Sequence, residues 1–188
     1  MTSKLMALGL LPLFALVACG DAAGPTAMES PVPVENFDTS NAMLTGQPIS
    51  SAQGFADTVA ASDWYEVEAG RLAQVKATTQ TLKDFGRTME KVHADSTAQL
   101  RAAADKAVPA IAPNPALSAE QEANLATLRD ATGTDFDAAY KAQQISAHQM
   151  ALAAMNAYAA KGDVPALKGF AAEAGKTVQM HLDTITGL

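Results

Sequence analysis

Residues 81–100 read TLKDFGRTMEKVHADSTAQL, and their apolar side chains recur as Leu82, Phe85, Met89, Val92 beside His93, Ser96 and Leu100. Steps of three and four place that set on one face of an α-helix, whereas a half-buried strand would alternate every second residue. The pattern predicts a helix from about Thr81 to Val108, with one histidine inside its buried stripe. The same period extends in both directions. Upstream, Phe55, Val59, Trp64, Val67, Leu72 and Val75 mark a helix from about Ala52 to Ala77, and Thr78-Thr79-Gln80 reads as the break between the two. Downstream, Pro109, Pro113 and Pro115 make a connection that cannot be helical throughout.

Ser118 with Gln121 three residues later forms a capping-box pattern. It opens a short helix through Leu125 and Leu128, ending near Gly133. Thr134 is the predicted cap of the next helix, with Asp135 and Asp137 in the first turn, where negative charge meets the positive end of the helix dipole. Phe136, Tyr140, Ala147, Ala151 and Tyr158 share its face, and Gly162 ends it. Asp163 is the predicted cap of the last helix, Pro165 is tolerated in its first turn, and Leu167, Phe170, Ala174, Val178, His181 and Ile185 form its stripe. Met89, Met150, Met155 and Met180 fall at helical spacings and read as core filler. The expectation is an all-α fold over residues 51–188: four long helices, each about 37 Å at 1.5 Å per residue, paired as two antiparallel hairpins in a four-helix bundle, plus one additional short helix.

The composition agrees with this reading and excludes some functions. Hydrophobic residues make up 48% of the chain and aromatic residues 5%, so the core must be built largely from alanine, the best helix former. The net charge is −7. Nucleic-acid binding needs a basic footprint, and the chain has none. The same charge opposes adsorption to anionic lipid, so attachment to a membrane requires a covalent anchor.

The N-terminus supplies one. Lys4 precedes an apolar run from Leu5 to Ala15, long enough for a secretory signal and too short for a transmembrane helix. Leu16-Val17-Ala18-Cys19-Gly20 resembles the bacterial lipobox. The resemblance implies cleavage after residue 18 and lipidation of Cys19, the chain's one cysteine, which has no internal disulfide partner. Two or three acyl chains hold stably where one does not. Gly20 after the cysteine, by resemblance to enterobacterial sorting, favours the outer membrane over the inner. Residues 20–50, with Gly24-Pro25, Pro31, Pro33 and Gly46-Gln47-Pro48, read as a flexible tether. The expected location is the periplasmic side of the cell envelope, anchored in the membrane through Cys19.

The histidines carry what chemistry the sequence offers. His93, His148 and His181 lie on three different long helices, and Glu66, Glu68 and Glu90 add carboxylates. Glu90 and His93 have the i, i+3 spacing that di-iron carboxylate bundles use twice. The second copy is absent, because Ile145 and Val178 precede His148 and His181 by three. A single transition-metal ion held by Glu66 or Glu68, Glu90, His93 and one other histidine remains open. Counting residues from the turns puts Glu66, Glu90 and His93 within about 5 Å of one level. The same count offsets His148 from His181 by about 8 Å, too far to share an ion without a helix shift. Alternatively, the histidines are buried side chains hydrogen-bonded to glutamates that fix helix register. No serine elbow, phosphate loop or free cysteine nucleophile is present.

Several segments together are similar to one family, the bacterial envelope proteins grouped as domain of unknown function 4142. They are Glu66-Val67-Glu68-Ala69-Gly70-Arg71-Leu72-Ala73, Phe85-Gly86-Arg87-Thr88-Met89 leading to His93, Gly133-Thr134-Asp135-Phe136-Asp137-Ala138-Ala139-Tyr140, His148, and His181-Leu182. The resemblance implies a ferritin-like bundle and imports no activity. Val92 stands where the family often has Asp, which removes a carboxylate beside His93, and Gly175-Lys176 stands where Leu-Pro is frequent. The expected function is a non-catalytic envelope protein that binds a protein or small-molecule partner, with stress adaptation as its setting. Two alternatives are a metal-binding or metal-dependent redox bundle and a carrier of small apolar ligands.

Overall fold

The computed structural model of the protein describes residues 51–188. The predicted signal segment over 1–18, the anchor at Cys19 and the tether over 20–50 lie outside these described residues. Among the described residues the structure is all-helical: α1 (Ala52–Lys76), α2 (Gln80–Ala104), α3 (Ala119–Asp130), α4 (Gly133–Lys161) and α5 (Pro165–Gly187). Helix α1 packs most extensively on α2 and α4 on α5, while contact between the two hairpins is sparser.

Local chemistry sets most of the helix ends. Ser51 caps α1 by accepting from Gly54 N at 3.1 Å, and Thr79 caps α2 through Leu82 N at 3.3 Å. The Ser118 capping box forms with both reciprocal bonds, satisfying donors that a helix start leaves open. Three boundaries differ from expectation. Helix α2 stops at Ala104 rather than Val108, where the Ala104 carbonyl accepts from both Ala107 N and Ile111 N and turns the chain back. Thr132, not Thr134, is the N-cap of α4, and Gly133 takes a left-handed φ of 59° that suits a residue without Cβ. Val164, not Asp163, is the N-cap of α5, because the Asp163 carboxylate accepts from Tyr158 Oη at 2.8 Å. Asp137, expected to serve the α4 dipole, instead accepts from Thr78 N at 3.0 Å and from the Thr78 hydroxyl, tying α4 to the α1–α2 turn.

Helices α1 and α2 meet backbone to backbone at Gly70 and Gly86. A Cβ on Gly70 would lie 2.5 Å from Gly86 O, and one on Gly86 would lie 2.7 Å from Gly70 O. That approach sinks α1 into the molecule, and residues 54–61 are buried without a break. Trp64 and Val75, assigned to the α1 stripe from sequence, are exposed instead. Of the four methionines read as core filler, Met89 and Met155 are buried, while Met150 and Met180 are exposed. A helix buried on several sides no longer obeys a single stripe, so the 3.6-residue period loses its power there.

The core divides in two. One cluster gathers Phe55, Val59, Leu100, Tyr158, Leu167 and Phe170, with Phe55 stacked on Tyr158 at 4.0 Å between ring centroids. The other gathers Tyr65, Phe85, Met89, Leu128, Phe136 and Ile185. The buried polar residues His93, His148 and His181 belong to neither cluster. No described helix is long and apolar enough to cross a membrane.

Candidate metal centre

Helix α2 contributes His93, α4 contributes His148 and α5 contributes His181, each within a stripe that faces inward, and all three are buried. Their ring centroids are 5.8 Å (His93 to His148), 5.8 Å (His93 to His181) and 5.5 Å (His148 to His181) apart. One nitrogen from each ring lies within 4.8 Å of the other two. The expected offset between His148 and His181 is therefore corrected. The turn centres nearer Asp163 than Gly162, since α4 ends at Lys161 and α5 starts at Pro165. That reduces the offset to three residues, about 4.5 Å. Side chains lean toward the N-terminus of their own helix, so His148 leans away from the turn and His181 leans back toward it. The two leans close the gap.

Outer hydrogen bonds fix two of the rings. His93 Nδ1 donates to Asp63 Oδ1 at 2.8 Å, with both groups buried. His148 Nδ1 donates to the Gln144 carbonyl at 2.8 Å, and Glu66 Oε1 stands 3.7 Å from the same nitrogen. The Gln144 carbonyl can only accept, so His148 Nδ1 holds the hydrogen, and with each Nδ1 engaged outward the Nε2 atoms of His93 and His148 are turned away from these partners. His93 Nε2, His148 Nε2 and His181 Nδ1 are buried without any hydrogen-bond partner. Phe85 lies 6.4 Å from both His148 and His181 and walls the cluster off on the side of the second core.

The electrostatics follow from that crowding. Burial alone lowers a histidine's affinity for protons. At His93 the burial penalty is outweighed by the Asp63 hydrogen bond and by the charges of Glu66 and Asp63, which raise its pKa. Burial raises Asp63, against the pull of His93. His181 has no carboxylate behind it, and burial, then the charges of His93 and His148, push its pKa down to about 3. It is neutral at any physiological pH and offers a lone pair.

The predicted carboxylates separate into two groups. Glu66 is buried at 1% exposure. Its Oε2 accepts from Gln144 Nε2 at 2.7 Å, so it stands behind His148 rather than among the converging nitrogens. Glu68 and Glu90 point outward: Arg71 pairs with both at 2.9 Å, and Gln74 Nε2 donates to Glu90 at 2.7 Å. Glu90 therefore does not accompany His93 into the centre, although three residues separate them. Asp63 was missed by the sequence reading. The signal was available, because Asp63 lies fifteen residues before Thr78 and His93 fifteen after it. The carboxylate that Val92 fails to supply beside His93 thus comes from α1.

Chemically, the arrangement resembles a first coordination shell held by oriented imidazoles. Metal-bound histidines characteristically donate their other N–H to a carboxylate or a backbone carbonyl, and His93 and His148 do so here. Nitrogens at 2.0–2.1 Å around a tetrahedral ion sit about 3.4 Å apart, so an ion would draw these rings inward. Residues 38–188, most of the chain, match the family model described as Domain of unknown function (DUF4142). No curated protein and no solved structure matches the chain.

Proposed function

The chain belongs to the DUF4142 family, a membership that carries no activity with it, and we propose that its bundle binds one divalent first-row transition-metal ion through His93, His148 and His181. One observation carries the reading. Three buried imidazole nitrogens from three helices converge without hydrogen-bond partners. A purely structural histidine cluster would satisfy its inner nitrogens as well as its outer ones, since an unpaired buried polar group is costly. Imidazole suits zinc, copper, iron, nickel and cobalt alike. A ligating imidazole must be neutral, and the Asp63 hydrogen bond strengthens the hold of His93 on a proton against the effect of burial, so metal and proton would compete at that ring. The carboxylates nearest the rings, Asp63 and Glu66, are engaged with His93 and Gln144, which favours binding over turnover.

The proposed setting is the periplasmic side of a bacterial envelope, with lipidated Cys19 as the anchor, the outer membrane as the destination and stress adaptation as the context. This address rests on the signal-like run and the Leu16–Cys19 pattern. Lipid attachment is checked by mass spectrometry of the mature N-terminus against a Cys19→Ala variant. The metal site is tested by elemental analysis of the purified protein, loaded in turn with manganese, iron, cobalt, nickel, copper and zinc and compared with His93→Ala. Near-stoichiometric metal that the variant loses supports the site. A wild type that retains none of the six removes it and leaves the histidines a packing role.

A further inference from the structure

Between the two core clusters the bundle is hollow. The cavity measures about 560 Å³, within the range of small-molecule sites. Val59, Ala154, Met155, Phe170 and Val178 form apolar walls, and His93 and His181 line the cavity while His148 does not. It reaches the surface, since the exposed Asp95, Glu120 and Met150 also border it.

We propose that this cavity receives a small neutral molecule with an apolar body and a single nitrogen or oxygen donor, and that the donor completes the coordination of the ion. The inference rests on the metal reading above. Three imidazoles leave a four-coordinate ion one open position. Phe85 closes the side behind His148 and His181, so the open position faces the cavity that His93 and His181 border. The walls fix the body of the guest as apolar. Its charge follows from the lining. Asp63, Asp95 and Glu120 border the cavity and no lysine or arginine does, so negative lining charge offsets the pull of the ion on an anion, while the ion repels a cation.

Cobalt(II) makes the test visible, because its d–d absorption reports coordination. The cobalt-loaded protein is titrated with 4-phenylimidazole, with imidazole, and with benzoate as an anion of similar size. The expected result is a saturable spectral change with 4-phenylimidazole at an affinity at least about tenfold above that of imidazole, since burying a ring adds more than one factor of ten. Ala174→Leu, which fills the cavity two turns from His181, should retain cobalt and weaken 4-phenylimidazole by about tenfold or more. If Ala174→Leu does not take up cobalt, Ala151→Met makes the same comparison from α4. Cobalt binding with no preference for 4-phenylimidazole over imidazole, with stronger binding of benzoate, or with indifference to the filling variant overturns the cavity inference and leaves the metal site standing. A wild type that takes up no cobalt overturns both.

Discussion

Small residues serve opposite ends in two regions of this bundle. At Gly70 and Gly86 the missing side chains let α1 and α2 close until backbone meets backbone. Along Ala147, Ala151, Ala154 and Ala174 the side chains are nearly as small, yet the helices stay apart and a cavity remains. The difference lies in what stands beside them. The glycines belong to one hairpin, whose helices are joined by a three-residue turn (77–79) and can approach freely. The alanines border the cavity instead, beside His93, His181 and Phe170, where no side chain fills the space they leave. Small side chains permit close packing but do not cause it.

Four experiments test whether the closed crossing and the open centre differ as described. The largest effect is expected at the closed crossing. Gly70→Ala puts a methyl 2.5 Å from a backbone oxygen that cannot swing away. It should destabilise the protein by about 3 kcal/mol, the upper range for overpacking, despite alanine's advantage of about 1 kcal/mol in a helix. Urea unfolding measures it, and a neutral result means the hairpin is as free to open as the centre.

Asp63→Asn comes next. It keeps the shape beside His93 and removes the charge, and loss of such an orienting carboxylate costs about 10–100-fold in metal affinity. Competition with a chelator measures the change. Equal affinity in the variant would show that Asp63 serves packing alone.

The third effect is one of pH in the metal-free protein. His181 has a folded pKa pushed down to about 3, below the ordinary value of about 6.5. The unfolded state therefore binds the proton first, and stability falls as pH drops from about 6.5 toward 3. Between pH 5.5 and 4.5 the wild type should lose about 1.4 kcal/mol relative to His181→Phe. Parallel pH profiles of the two proteins would refute the burial of a neutral imidazole at that position.

The smallest effect is expected in the hollow. Ala174→Leu should change stability by less than about 1 kcal/mol, because a side chain entering a void gains contacts without forcing backbones apart. A thermal melt suffices to check it. A loss as large as that of Gly70→Ala would mean that the alanines are packed as tightly as the glycines.

The periodicity of residues 81–100 was enough to place α2, and the α5 stripe from Leu167 through Ile185 is buried nearly as read. Those helices show one face to the core, so an amphipathic pattern records their environment. Helix α1 is buried on more than one face, and there the pattern misplaced Trp64 and Val75. Helix ends that depend on local bonds, such as the Ser118 box, were legible. Ends where a carboxylate finds a partner elsewhere, as Asp163 does in Tyr158, were not.

The helical class, the number of helices, and the presence of a histidine on each of three long helices, two of them inside an apolar stripe, follow from the residues alone, because a 3.6-residue repeat and capping residues act over only a few positions. Helix packing alone brings the three rings together, stands Asp63 behind His93 while Glu68 and Glu90 turn outward to Arg71, and leaves the centre hollow. Those outcomes depend on turn centres, side-chain lean and the depth of the Gly70–Gly86 approach. A shift of one or two residues in register, about 1.5–3 Å, separates three converging imidazoles from three unrelated histidines.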